Sequence, residues 1–109
     1  MNWIDDIAYF FGGAFLTNAL PHFISGTMGR AFQSPFAKPP GQGLSSSTIN
    51  VVWGSLNFAI AYGLLVWIGA FDLRAWDNIG AFSLGGLLIG LTLASRFGRF
   101  NGGNSPDKN

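Results

Sequence analysis

The sequence contains no cysteine, which excludes disulfides, iron–sulfur ligation and thiol catalysis. Charge is scarce: Asp, Glu, Lys and Arg make up 10% of the 109 residues, where a soluble domain carries about a quarter. The one histidine, His22, cannot build a typical zinc site alone, so no metal ligands are expected. No glycine loop ends in Lys and Ser/Thr, and no Gly-x-Ser-x-Gly elbow is present, which removes the usual phosphate-binding and serine-nucleophile signatures. No catalytic residue and no cofactor is therefore expected, and the chain does not read as an enzyme. The net charge of +1 is small and the six Lys and Arg residues are scattered, leaving no basic stripe to hold a nucleic-acid backbone.

What is abundant is apolar. Hydrophobic residues reach 49% and aromatics 16%, too much for a soluble domain of this size to hide from water. Three stretches, 7–24, 51–71 and 78–95, carry no Asp, Glu, Lys or Arg and are long enough to cross a hydrocarbon core of about 30 Å as helices. Helix is the expected backbone, because in lipid every amide must pair internally and three spans cannot close a barrel. The expectation is an all-α membrane protein with three transmembrane helices, occupying 1–100. Asp5 and Asp6 precede the first apolar run where a cleaved signal peptide would carry basic residues, so this segment is expected to be retained. Trp3, Tyr9, Trp53, Trp67, Phe71, Trp76, Phe97 and Phe100 lie near span ends, as interfacial aromatics do.

The basic residues set an orientation. Arg30 and Lys38 lie in the first connection and Arg96, Arg99 and Lys108 follow the third span. Three spans put both groups on one side, which the positive-inside rule makes cytoplasmic, with the N-terminus outside. The short connection 72–77 has two Asp against one Arg and falls outside. The first connection, 25–50, is long and rich in Pro and Gly, with Pro35, Pro39 and Pro40. Its Phe32, Phe36 and Leu44 argue for a docked or interfacial loop, since loops of this length are functional or disordered. The tail 101–109 has no apolar residue and reads as disordered.

Within the spans a few residues invite attention. Pro21 leaves the Thr17 carbonyl without its helix bond, so the first helix is expected to kink or stop there. Asn18 and His22 are four apart and share a face. They make either a proton- or ligand-binding pair or a structural pair, one bonding a neighbouring helix and the other sitting at the interface. Asn57 lies well inside the second span, where an unpaired amide is unfavourable, and its natural partner is Asn18 or an amide of a second subunit. Gly86, Gly90 and Ala94 on the third span, and Ser55, Ala59 and Gly63 on the second, recur every four residues. Small residues at that spacing let helices approach closely. The five Asp residues all lie outside the spans; Asp5, Asp6, Asp72 and Asp77 fall on the external side and read as a charged rim, with a carboxylate pair among them as the alternative.

The motifs Asn18-Ala19-Leu20-Pro21-His22, Gly29-Arg30, Phe32-Gln33-Ser34-Pro35-Phe36, Lys38-Pro39-Pro40-Gly41 and Asn50 through Gly54 together resemble a pattern in short, mostly uncharacterised bacterial integral membrane proteins. The resemblance covers about the middle third of the chain and implies no activity, cofactor or functional residue. The function expected from the residues is a non-catalytic membrane subunit that packs against other membrane proteins or copies of itself. The alternative is an oligomeric conduit for protons, ions or small solutes, with Asn18, His22 and Asn57 along a shared path.

Overall fold

A computed structural model describes residues 2–108. Three long helices account for most of it: α1 (Trp3–Thr27), α2 (Ser47–Tyr62), which continues as a π-helical turn (Gly63–Ile68), and α3 (Trp76–Asn101). Trp3–Thr27, Ser47–Ile68 and Trp76–Asn101 are each long and apolar enough to cross a membrane. Between α1 and α2, β1 (Phe32–Gln33) pairs antiparallel with β2 (Leu44–Ser45), Phe32 opposite Ser45.

α1 and α2 begin before their apolar stretches do, because local capping extends them. The Asn2 side chain accepts hydrogen bonds from the amides of Ile4 (3.0 Å) and Asp5 (3.4 Å), and Asp5 and Asp6 in the first turn favour the positive end of the helix dipole. Ser46 caps α2 by accepting from the Ile49 amide at 3.2 Å, which satisfies one of the orphan donors of the first turn.

Of the kink or stop expected at Pro21, the stop does not occur; the helix runs six residues further, to Thr27. Packing supports that last stretch. Gly26 lies so close to the start of α2 that a side chain there would come within 2.6 Å of the Ser47 carbonyl and 2.8 Å of the Val51 amide nitrogen. The end is then set by Gly29 at φ 75°, with Gly29 N–H bonded to Gly26 O and Arg30 N–H to Ser25 O, a Schellman closure.

α1 is the central helix. It packs along both α2 and α3, which barely touch each other. Toward α2, His22 meets Asn50, Gly26 meets Ser47 and Val51, and Gly12 meets Leu65 of the π-helical turn, while Ala19 of α1 and Gly54, Asn57 and Ala61 of α2 are buried as well. Gly12, Ala19 and Gly26 repeat every seven residues, and Asn50, Gly54, Asn57 and Ala61 step by four, three and four. These are the intervals of a left-handed antiparallel seam. Gly54 sits against the Phe23 backbone, where a side chain would approach its nitrogen to 2.7 Å. Toward α3, a side chain on Gly13 would collide with the Phe82 carbonyl, and one on Gly85 with the Phe10 carbonyl.

The end of α2 rests on Tyr9, whose hydroxyl accepts from the Ala70 amide at 2.9 Å and whose ring packs edge-on against Phe71. At the other end, the residues expected to form a disordered tail start inside the last turn of α3. Gly102 then turns the chain at φ 78°, Asn104 Nδ2 donates to the Ala94 carbonyl at 2.9 Å, and Pro106–Lys108 form one 3-10 turn.

Candidate functional site

The buried polar residues of the molecule gather where α1, α2 and the connecting loop meet. His22 is 2% exposed, Asn50 and Asn57 are 0% exposed, and Gln33, Ser34 and Ser45 are buried beside them. Polar groups that leave water must find partners, and these do. Asn50 Nδ2 shares its two hydrogens among three carbonyls, of Phe32 (3.2 Å), Ser45 (3.1 Å) and Ser46 (3.0 Å). Its amide nitrogen is thereby committed to the loop, so Oδ1 faces His22 Nδ1 at 2.9 Å. An amide oxygen only accepts, and Nδ1 of His22 therefore carries the hydrogen. Around the imidazole stand Phe32, Trp53 and Phe97, all edge-to-face, with centroids 5.6, 6.3 and 5.9 Å away.

Asn50 thus ties the hairpin loop to both helices. Ser34 and Ser45 bond each other through their hydroxyls, and Gln33 and Asn101 exchange two side-chain hydrogen bonds at 3.3 Å, joining the loop to the end of α3. Phe32 stacks edge-on against Phe97, with centroids 4.9 Å apart.

Farther along the α1–α2 seam, Asn18 Nδ2 donates to Asn57 Oδ1 at 3.0 Å, and Asn57 Nδ2 donates to the Trp53 carbonyl at 2.8 Å. The structure therefore brings Asn18 and Asn57 together and gives His22 a different partner. Asn18 and His22 share a helix face, but each reaches across to its own asparagine on α2. The role of Asn50 as the hub is not legible in the sequence, because its amide group bonds loop carbonyls whose positions only the fold supplies.

The small-residue ridges fall mostly away from the helix contacts inside the chain. Ser55 and Ala59 are exposed and nothing lies within 4 Å of where a Gly63 side chain would be. On α3 the closest approach is at Gly85, one position before the ridge. A side chain at Gly86 would come 3.0 Å from Thr17 Oγ1, one at Gly90 only 3.6 Å from Thr17 Cγ2, and Ala94 is exposed. The two helices touch at Gly13 and Gly85 and then diverge. Between them lies an apolar groove of about 360 Å³, lined among others by Pro21, Gly90, Ala94 and Phe97.

Charges separate to the two ends of the helices. Arg30, Lys38, Arg96 and Arg99 lie at the loop end, whereas Asp5, Asp6, Asp72 and Asp77 lie at the other with Arg74. There Asn78 bridges, accepting from the Asp72 amide at 3.0 Å and donating to Asp77 at 3.2 Å. Among the described residues no group of His, Asp or Glu is placed to hold a metal ion. No family model, curated protein or solved structure matches the chain.

Proposed function

We propose that the chain is a small, non-catalytic integral membrane subunit that crosses the cell membrane three times and packs against other membrane proteins or copies of itself. In this reading the N-terminus is outside, and the hairpin loop and C-terminus are cytoplasmic. The separation of basic and acidic ends supports that orientation. The observation that carries the subunit reading is the outward-facing ridge of Ser55 and Ala59 on α2, with Gly63 open beyond it. The chain's own helices use other small residues for their contacts, so this ridge is left for a neighbour. Membrane helices associate through such ridges by close backbone contact.

The conduit reading is less well supported. Asn57 and His22 are fully buried and bonded inward, so neither offers its side chain to a path along the molecular surface. The subunit reading predicts that Ala59→Leu weakens association in mild detergent, read by cross-linking and sedimentation, while helix content stays unchanged. Undiminished association in that variant would show that the ridge faces lipid. Proton or ion flux in liposomes that disappears in His22→Gln would favour the conduit instead.

A further inference from the structure

Arg96 and Arg99 are one turn apart on α3, and both guanidinium carbons lie 5.6 Å from the centre of the Phe100 ring. Two guanidinium groups therefore attend one ring at the end of α3. The loop comes close to Arg96 at Gly41, at φ 74°, where a side chain would stand 2.9 Å from Nη2. Beside the pair is a surface hollow of about 470 Å³ lined by Leu91, Thr92, Ser95, Arg96 and Arg99. A second hollow, of about 420 Å³, adjoins it at Ser95 and Arg99.

The lining changes character along the helix. Leu91 is exposed and apolar, Thr92 and Ser95 are neutral and polar, and Arg96 and Arg99 are cationic. From Leu91 to Arg99 is about 12 Å of helix at 1.5 Å per residue. A phospholipid presents the same sequence of chemistry from acyl chain through ester to phosphate. Of the chain's five carboxylates only Asp107 belongs to this end; the other four belong to the opposite one. The arginine fork suits phosphate oxygens in particular, because it donates paired N–H groups in one plane.

We infer that the hollow beside Arg96 and Arg99 binds the headgroup phosphate of an anionic phospholipid, with an acyl chain lying along α3 past Leu91. This inference rests on the membrane-spanning reading above. The full chain in lipid nanodiscs, released into the gas phase for native mass spectrometry, tests both. Phosphatidylglycerol should be retained in preference to phosphatidylcholine, and millimolar inorganic phosphate should not displace it. Arg96→Gln with Arg99→Gln should cut that retention roughly 30-fold, taking about 1 kcal/mol per basic residue at an anionic surface. Arg96→Lys with Arg99→Lys should keep the preference in part, and Arg74→Gln at the opposite end should leave it unchanged. Equal retention of the two lipids by the parent chain overturns the inference without any variant. Displacement by free phosphate, or an equal loss in Arg74→Gln, also overturns it. A chain that fails to enter nanodiscs overturns the membrane-spanning reading itself.

Discussion

His22 Nδ1 and Asn50 Oδ1 lie 2.9 Å apart, and that bond joins the last third of α1 to the first turn of α2. The same Asn50 side chain holds the hairpin loop through three carbonyls. One amide thus fixes two helices and the connection between them. Replacing it strands His22 and the loop carbonyls in a site closed to water.

Asn50→Ala is therefore expected to destabilise the protein by about 3 kcal/mol, since each buried polar group left without a partner costs about 1–3 kcal/mol and local relaxation recovers part. Unfolding in mixed micelles, followed by circular dichroism, measures this. Asn50→Asp is expected to fail as well, because it keeps the oxygen facing His22 but has nothing to donate to the carbonyls. A fully stable Asn50→Asp protein would mean that the three loop bonds contribute little.

The Asn18–Asn57 bond is expected to contribute far less. Interhelical hydrogen bonds in membranes average about 0.6 kcal/mol, and a double-mutant cycle with Asn18→Ala and Asn57→Ala should return a coupling of that order. A coupling above about 2 kcal/mol would give this pair a role beyond holding register.

Glycine substitutions separate contact from open surface. Gly85→Ala places a methyl against the Phe10 carbonyl and is expected to lose about 1–3 kcal/mol by forcing α1 and α3 apart. Gly63→Ala meets nothing within 4 Å and should be neutral or gain up to about 1 kcal/mol from reduced backbone freedom in the unfolded chain. Thermal melts of the two variants side by side give the comparison.

Much of the architecture is written in the sequence as hydropathy. The three apolar stretches mark the helices, and Asn57 announces itself as a buried amide because nothing near it can solvate it. The particular glycines at the contacts are less legible. Gly85 and Gly86 are neighbours of the same size, and only the crossing point of α1 decides that Gly85 meets a carbonyl. A seven-residue repeat of Gly12, Ala19 and Gly26 carries the α1–α2 seam, but the four-residue spacing of Ser55 and Ala59 is equally regular and points outward. Regular spacing identifies a face, whereas the face that a neighbour occupies depends on the other helices. The two-residue strand pairing is too short to leave any alternation in the sequence.

Orientation is open to a direct measurement. Single cysteines at Gln42, Leu73 and Ser105 in the otherwise cysteine-free chain should label from two sides in intact cells: Leu73→Cys with an impermeant external reagent, Gln42→Cys and Ser105→Cys only after permeabilisation. Leu73 is 74% exposed, so its accessibility reports sidedness and not burial. Labelling of Gln42→Cys and Ser105→Cys from opposite sides would sink the three-span topology.

Gly12 and Gly13 are adjacent in α1, and their missing side chains face directions about 100° apart around the helix. The first makes room for Leu65 beyond α2, and the second for the Phe82 carbonyl of α3. Rolling α1 about its long axis to suit one neighbour would drive a side chain into the other. Rotation of the central helix about its own axis is consequently opposed from both sides.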